Sequence, residues 1–277
     1  MAAETPARSA TCANVGSPST DAGLLLVDAS ISRSLKSPAV DHTQPLHLHP
    51  TTDLAERVLL PGDPGRALAL AQLLLERPLM FNHNRGLWGY TGTAPDGKLL
   101  TVQSTGMGGP SAAIVLHELI SLGVKRAIRV GTCGALDGAL DLGDLVVAGE
   151  SIAADGTSAA IGAGALTRAD PILTCALLAE LQLSGARPHR EGRIVSTDLF
   201  YESDSTRNRQ WRETGAIAVE MEASTLFALG AASGIQVACL LTVTDTFDAA
   251  GARTRIDDDA LVQAAEAMGR AAAGALA

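Results

Sequence analysis

The stretch from Thr101 to Leu136 most constrains the fold, because it alternates apolar segments with glycine-rich breaks. Leu99 to Val102 are apolar and partly β-branched, which predicts a short buried strand. The run GMGGPS at 106–111 then allows backbone angles closed to other residues, and its proline suits the first turn of a helix. Apolar residues from Ser111 to Leu122 predict that helix. Its polar side carries His117, Glu118 and Ser121.

A second strand is predicted from Ala127 to Val130, followed by a second glycine-rich turn at 131–134. Ligands of open α/β sheets bind at the carboxyl ends of such strands. Arg129 lies inside this apolar strand and must be paired or face a site, because burying an unpaired charge is costly. The Thr132 hydroxyl and nearby backbone amides favour an oxyanion. A structural arginine paired with an interior carboxylate fits the same pattern equally well.

Strands and helices alternate along the rest of the chain, starting with a predicted strand at Arg57 to Leu60 and a helix at Ala67 to Leu75. This alternation predicts one α/β domain over residues 45–277, with three αβα layers and a central mixed, largely parallel sheet. Residues 1–44 are rich in Ala, Ser, Thr and Pro and are expected to form a disordered N-terminal extension.

Composition excludes several classes of partner and site. The net charge of −9 argues against a general affinity for nucleic acid or anionic membranes. No segment reaches the roughly 18 uninterrupted apolar residues of a membrane span. The four cysteines lack CxxC spacing and no secretory segment precedes them, so free thiols in the cytoplasm are expected. The six histidines show no metal-ligand spacing, so no metal is expected.

Polar residues fall at or just after the ends of predicted strands, and four of them could share one rim of the sheet. They are Arg66, Arg129, Glu222 and Asp245. Two arginines with glycine-rich loops provide an anion site, and two carboxylates provide a site for hydroxyl binding or acid–base chemistry. The simplest ligand set for this combination is a phosphate together with a polyhydroxylated substrate.

Seven motifs, in this order, resemble the nucleoside phosphorylase family, in the trimeric or hexameric branch that includes bacterial purine nucleoside and uridine phosphorylases. The resemblance runs from about His47 to the C-terminus. The motifs are PGDPGR (61–66), NRGLWGYTGT (84–93), GMGGPS (106–111), RVGTCGAL (129–136), STDLFY (196–201), VEMEAS (219–224) and VTD (243–245).

The resemblance implies an enzyme that cleaves purine nucleosides with phosphate to give the free base and ribose 1-phosphate. It implies inorganic phosphate as co-substrate, no cofactor, and a homo-oligomer of dimer units, expected to be a hexamer. Phosphate-binding positions match Gly62, Arg66, Arg129, Thr132 and, contributed by a neighbouring subunit, Arg85. Ribose positions match Met221, Glu222 and His47, the last reaching across a dimer to the 5′-hydroxyl, with His49 as its alternative. Base-pocket positions match Cys133, Gly134, Phe200 and Val219.

Asp245 distinguishes the substrate classes within the family resemblance. In the purine branch this aspartate protonates N7 of the leaving base, assisted by a downstream arginine, for which Arg255 is favoured over Arg253. The uridine branch lacks the aspartate and uses a Gln-x-Arg pair, whereas this chain has Asp204 and Thr206 at those positions. A purine substrate is therefore predicted.

Three alternative functions remain open from the sequence. A uridine phosphorylase with altered base contacts is one, and a nucleosidase of the same fold that uses water instead of phosphate is another. The third is a nucleoside-binding protein without catalysis. The sequence leaves the role of Glu220 undecided. Cys133 is expected to form a pocket wall and not to act as a nucleophile, because no histidine lies near it in sequence.

Overall fold

Strands and helices alternate along the chain in the structure, a computed structural model that describes residues 45–185, 187–202, 204, 206–248 and 252–277. The predicted extension at 1–44 lies outside these residues. The strands are β1 (Arg57–Leu60), β2 (Glu76–Asn82), β3 (Gly89–Thr93), β4 (Leu99–Gln103), β5 (Arg126–Ala135), β6 (Leu145–Ala154), β7 (Leu166–Arg168), β8 (His189–Thr197), β9 (Ala216–Glu220), β10 (Gln236–Phe247) and β11 (Arg253–Arg255). The helices are α1 (Pro64–Leu74), α2 (Gly109–Ser121), α3 (Gly156–Ile161), α4 (Pro171–Ser184), α5 (Arg207–Glu213), α6 (Ala223–Ser233) and α7 (Asp258–Ala275).

Local chemistry sets where the helices begin. Asp63 caps α1 by accepting a hydrogen bond from the Arg66 backbone N–H at 2.7 Å, and Pro64 occupies the first turn. Asp170 caps α4 in the same way, through the Leu173 N–H at 2.8 Å. An Asp cap followed by proline satisfies a free backbone donor and pre-sets the helical angle, so both starts are encoded locally.

The sheet is mixed, which confirms the predicted fold class. Its two longest ladders, β5–β10 and β6–β8, are parallel. Strands β4 and β5 flank β1 in parallel, and the hairpins formed by β2, β3 and β4 extend the sheet beyond β4. The sequence did not predict that β5, β10, β6, β8 and β9 pair in succession and that β9 returns to β5. These five strands therefore form a closed ring.

Helices cover both faces of the central strands, giving the predicted three layers. In β1, Val58 and Leu60 pack in the cluster that contains the apolar residues of α2 and α6. Leu59, between them, packs in the cluster that contains those of α1, α4 and α7. Because successive side chains of a strand point to opposite faces, a strand buried on both sides is apolar throughout. None of the helices in the described part of the chain is long and apolar enough to span a membrane.

One local prediction was wrong. The glycine-rich turn predicted at 131–134 is strand, because β5 continues to Ala135 and pairs on both sides with β9 and β10. Glu118, on the polar side of the predicted helix, is buried, because residues 46–48 cover it. In both places a contact distant in sequence overrides the local pattern. The predicted strand at Arg57–Leu60 is confirmed.

Candidate active site

A cavity of about 670 Å³ opens at the carboxyl ends of β1, β5, β9 and β10. Most of the predicted site residues line it, and Arg253 lines it as well. The predicted residues in the lining are Gly62, Arg66, Arg129, Thr132, Cys133, Gly134, Phe200, Val219, Met221, Glu222 and Asp245. The remaining predicted residues, His47, Arg85 and Arg255, are not part of it. Arg66, in the first turn of α1, and Arg129, inside β5, thus share one cavity with Glu222. The prediction that Arg129 lies at the end of its strand was wrong, because β5 continues for six residues beyond it.

The turn between β1 and α1 forms one wall of the cavity. Its backbone is fixed against the loop after β4, because the Gly106 N–H donates to the Gly62 carbonyl at 3.0 Å. Burial lowers the pKa of Arg66, and the nearby positive charge of Arg129 lowers it further against the opposing effect of Asp63. Two guanidinium groups therefore act on each other across the same space, which favours an anion between them.

Arg129 is 4% exposed and is held by two carboxylates. Its Nε lies 2.9 Å from Glu220 Oε2, and its Nη2 lies 2.5 Å from Glu222 Oε2. Burial alone would lower the pKa of Arg129, but Glu222 and Glu220 outweigh it and raise the pKa, so the group stays charged. Both interpretations of this arginine thus apply, since it is paired internally and also lines the cavity.

Glu220, whose role the sequence left open, is a buried acceptor for several donors. Its Oε2 accepts from Arg129 and from the Glu222 backbone N–H at 2.8 Å, and its Oε1 accepts from the Ala223 N–H at 3.0 Å. The Ser196 hydroxyl also donates to it. Glu220 therefore fixes the arginine and the strand-to-helix junction that carries Glu222. The signal available in the sequence was a carboxylate that directly follows the apolar run at 216–219.

The part of the cavity that contains Arg66 and Arg129 is called the anion end here. Glu222 connects this anion end to the start of α2. Its Oε1 accepts a 2.5 Å hydrogen bond from the Gly108 N–H, while its Oε2 pairs with Arg129. Gly108 has φ +84°, a left-handed angle that favours glycine and aims this N–H at the carboxylate. Burial raises the pKa of Glu222 against the opposing charge of Arg129.

Asp245 lines the same cavity from β10, where it is buried and pairs with Gly134, five residues beyond Arg129 on β5. Its Oδ1 is 3.1 Å from Arg255 Nη1, and its Oδ2 accepts from the Thr244 hydroxyl at 2.9 Å. Arg253 approaches it less closely, with Nε 3.9 Å from Oδ1. Arg255 is the closer partner but its side chain is 57% exposed, whereas Arg253 lines the cavity.

Aromatic rings surround Arg253. Its guanidinium carbon lies 4.6 Å from the centre of the Phe200 ring and 5.8 Å from that of Phe247. A cation over two ring faces forms a flat apolar surface with a charged centre, suited to a planar heterocycle. Phe247 was not among the predicted residues; it becomes visible only when β10 is seen to continue past Asp245.

The positions expected to read uracil carry a different chemistry. The Thr206 hydroxyl donates to Asp204 Oδ1 at 2.6 Å, so these two side chains bind each other. Asp204 lines the cavity with an acceptor where a Gln-x-Arg pair would supply donors.

Cys133 forms part of the cavity wall on β5. Burial raises the pKa of its thiol, and Glu220 raises it further. A neutral thiol is a poor nucleophile, so the chemistry of this residue is that of a small apolar wall. Across the described residues, no group of three or more His, Cys, Asp and Glu side chains is placed to hold a metal ion.

Arg85 and His47 lie together on a surface separate from the cavity lining. Arg85 is exposed and has φ +57°, a left-handed angle rare for a residue with a side chain. Asn84 Nδ2 donates to the His47 carbonyl at 2.9 Å, which joins the two segments. His47 itself contacts Glu118, and the alternative, His49, is exposed.

Comparisons of the chain with a family model, with curated proteins and with solved structures all point to one family. Residues 56–277 match the family model described as the phosphorylase superfamily. The chain is 40% identical over 198 residues to a DeoD-type purine nucleoside phosphorylase of Clostridium novyi, covering 70% of this chain and 84% of that protein. A protein of the same name from Alkaliphilus metalliredigens is 40% identical over 207 residues, covering 73% and 87%. The crystal structure of a Vibrio fischeri uridine phosphorylase has a TM-score of 0.73 at 26% identity, covering 81% of this chain and 92% of that chain.

Proposed function

The chain belongs to the phosphorylase superfamily, and we propose that it is a purine nucleoside phosphorylase that releases the free base and ribose 1-phosphate. The observation that carries the proposal is the shared cavity, with two arginines at one end and a buried aspartate at the other. Such a cavity suits a phosphate, a ribose and a base in a row.

We assign the anion end to inorganic phosphate, which is the co-substrate of the nucleoside in the proposed reaction. Arg66 and Arg129 supply guanidinium donors there, and Gly62 and Thr132 belong to the same lining. We assign Arg85 of a neighbouring copy to the same phosphate. Glu220 and Glu222 already offset the charge of Arg129, so the net positive charge that meets a phosphate dianion comes from Arg66 and Arg85. Held in this way, the phosphate is positioned beneath C1′ of the sugar, which removes the entropic cost of bringing the two reactants together.

The ribose is assigned to the middle of the cavity. Glu222 accepts hydrogen bonds from the 2′- and 3′-hydroxyls, beside Met221, and His47 of a neighbouring copy reaches the 5′-hydroxyl. Cleavage of the C1′–N9 bond leaves positive charge on the ribosyl group, which the adjacent phosphate and the Glu222 carboxylate offset. The phosphate oxygen then bonds to C1′.

The base is assigned to the aromatic end, against Phe200, Val219, Cys133 and Gly134. A purine anion is a poor leaving group, so a proton must reach N7 as the bond breaks. Asp245, when protonated, donates it, and Arg255 stabilises the carboxylate that results, across the 3.1 Å contact. Arg253 is the alternative partner, and its place over Phe200 suits contact with the base instead.

The alternatives are less well supported. A uridine phosphorylase would lack the buried aspartate and present amide and guanidinium donors near residues 204–206, where Asp204 and Thr206 bind each other. A nucleosidase does without phosphate arginines, which this cavity has. A nucleoside-binding protein without catalysis would not need the acid at position 245.

One assay tests the proposal. Inosine, adenosine, guanosine, uridine and thymidine are each incubated with the purified protein, with and without inorganic phosphate. We expect base release from at least one purine nucleoside, dependent on phosphate and accompanied by ribose 1-phosphate. Equal base release without phosphate would indicate a nucleosidase, preference for uridine a uridine phosphorylase, and binding without release a nucleoside-binding protein.

A further inference from the structure

Glu118 is a buried carboxylate in α2 that the proposed reaction does not use directly. It accepts hydrogen bonds from three successive backbone N–H groups, with Oε1 at 3.1 Å from Leu46 N and Oε2 at 2.7 Å from Leu48 N. The N–H of His47 donates to both oxygens at 3.0 Å. The His47 ring adds a fourth donor, with Nδ1 at 2.7 Å from Oε1.

We propose that Glu118 is a positioning residue that holds His47 in the orientation and tautomer needed to bind the 5′-hydroxyl of a nucleoside in a neighbouring copy's cavity. The inference rests on the proposed function, which assigns that hydroxyl to His47. It goes further, because it places the control of this contact in a residue of α2 that touches no substrate.

The hydrogen bonds define which ring nitrogen is available. An ionised carboxylate can only accept, so His47 Nδ1 carries the hydrogen in the contact with Glu118. Nε2 is then the nitrogen left to meet a substrate hydroxyl, and in the neutral ring it is an acceptor. A carboxylate behind a histidine fixes ring orientation and tautomer in this way at other functional sites.

The carboxylate is kept ionised for this role. Burial raises the pKa of Glu118, but the hydrogen bonds from His47, Leu48 and Leu46 outweigh it and the pKa is lowered. The segment is also anchored directly after His47, since Leu48 is fully buried and Asn84 binds the His47 carbonyl. His47 therefore projects from a fixed backbone as well as from a fixed ring.

The same helix reaches the cavity of its own chain. Gly108, the residue before α2, donates to Glu222, while Glu118 near the other end of α2 holds His47. One helix thus contacts a proposed ribose residue of its own copy and a proposed ribose residue serving a neighbour. The backbone of α2 therefore links the contact between Gly108 and Glu222 to the contact between Glu118 and His47.

The test compares a purine nucleoside that the enzyme cleaves with its 5′-deoxy analogue, which lacks the hydroxyl. We expect H47A to lower the ratio of kcat/KM between the two substrates about tenfold, through KM for the parent nucleoside. We expect E118A to lower it similarly and E118Q to lower it by a smaller factor, while kcat/KM for the 5′-deoxy analogue stays near wild type. An unchanged ratio in E118A would overturn the positioning role. The double variant H47A/E118A should be no worse than H47A, because the two residues act on one contact.

E118Q keeps the size of the side chain and covers the case in which E118A does not fold. Its amide nitrogen must face either the Leu48 N–H or the His47 ring, so one donor loses its acceptor. E266Q, an exposed glutamate on α7, is the matched control and should leave the ratio unchanged.

Three outcomes separate the inference from its premises. An equal fall for both substrates in E118Q, or a double variant whose losses add, would overturn the positioning role and leave a purely structural one. A wild-type ratio in H47A would overturn the assignment of the 5′-hydroxyl to His47, and the inference with it. Absence of phosphorolysis in the wild type would instead refute the proposed function.

Discussion

At the scale of single residues, Arg129 is a buried charge whose contacts fit the proposed binding role better than a role in stability. A buried ion pair commonly contributes little net stability, since the desolvation of both charges offsets their attraction. Here one guanidinium meets two carboxylates and still borders a cavity. Its contacts with Glu220 and Glu222 leave other N–H groups for a ligand, because an arginine has five. The pairing therefore orients a binding group in advance of the anion.

Asp245 gives the prediction that bears most directly on the chemistry. Replacing it with asparagine removes the proton that the leaving base needs, so kcat for inosine or adenosine should fall about 10²–10⁴-fold. Nucleosides methylated at N7 carry a base that leaves without protonation, and D245N should cleave these at near wild-type rates. Steady-state kinetics on both substrate types measures the contrast.

A structural role for Asp245 would give a different kinetic result in D245N. If D245N lost activity equally on methylated and unmethylated nucleosides, the role of Asp245 would be structural. Its buried contacts with Thr244 and Arg255 make thermal unfolding of the variant a necessary control.

At the scale of elements, Gly131 in β5 leaves the space that the Arg129 guanidinium occupies. A Cβ atom at Gly131 would lie 2.7 Å from both Cζ and Nη2 of Arg129. G131A should therefore displace the guanidinium and raise KM for phosphate about tenfold, in line with the cost of overpacking a dense site. G138A is the matched control, since nothing lies within 4 Å of its Cβ. An unchanged KM in G131A would mean that Arg129 does not hold the phosphate.

The hairpin between β3 and β4 is tied to β1 by a second buried arginine. Arg57 pairs with both oxygens of Asp96, at 2.6 and 2.7 Å, and also binds the Leu276 carbonyl. The hydrogen bonds from Arg57, against the opposing effect of burial, lower the pKa of Asp96 to about 2. A lowered pKa stabilises the fold above the unfolded value of about 3.9, and this stabilisation is lost as pH falls towards 2.

D96N should therefore destabilise the protein by about 2 kcal/mol at neutral pH. Urea unfolding of wild type and D96N measures the difference in midpoint, which should be constant from pH 7 to about 5 and narrow below about 4. A difference that grew on acidification would contradict the role of this ion pair.

Elements with strong local signals could be predicted from the sequence, and those set by distant contacts could not. The strand at Arg57–Leu60 is apolar and ends at a Pro-Gly turn, so its bounds were predictable. Gly131 indicates a turn locally, and only pairing with β9 and β10 makes it strand. Glu118 is polar on an amphipathic helix, and its burial depends on a segment about 70 residues away.

The site followed the same division. Polar residues next to apolar runs indicated the shared cavity, and Arg66, Arg129, Glu222 and Asp245 all line it. That Arg129 and Asp245 lie inside β5 and β10, and not at their ends, depends on strand pairing that the local pattern does not encode. The contacts of Glu220 and the place of Arg253 over Phe200 depend on side-chain geometry that spacing does not encode.

At the scale of the whole molecule, the proposed sites require more than one copy of the chain. Arg85 and His47 lie apart from the cavity lining of their own chain and are joined to each other through Asn84. A left-handed angle at Arg85 costs free energy, and such angles persist where surrounding structure enforces them, often at functional sites. In the proposed oligomer, this pair is the donor surface that serves a neighbouring copy's cavity.

Complementation between two inactive variants tests this sharing. R85A keeps Asp245 but lacks the arginine it lends, and D245N keeps Arg85 but lacks the acid. Each alone should be nearly inactive at low phosphate. Co-expressed in equal amounts, they should restore about a quarter of wild-type sites, because half of random dimers are mixed and each mixed dimer has one complete site. Failure to recover activity in isolated mixed oligomers would place Arg85 outside a shared site.

The closed ring of β5, β10, β6, β8 and β9 limits how far the groups of the site can move during turnover. Each strand of the closed ring is paired on both sides. Sliding one strand past its neighbours would therefore break backbone hydrogen bonds on both of its sides. The groups on β5, β9 and β10 therefore keep their spacing throughout turnover. Accommodation of different bases falls to side-chain rotation at the rim of the base end, where Phe200 is 45% exposed. Substrate range should accordingly respond to mutation at that rim while the rate of bond cleavage does not.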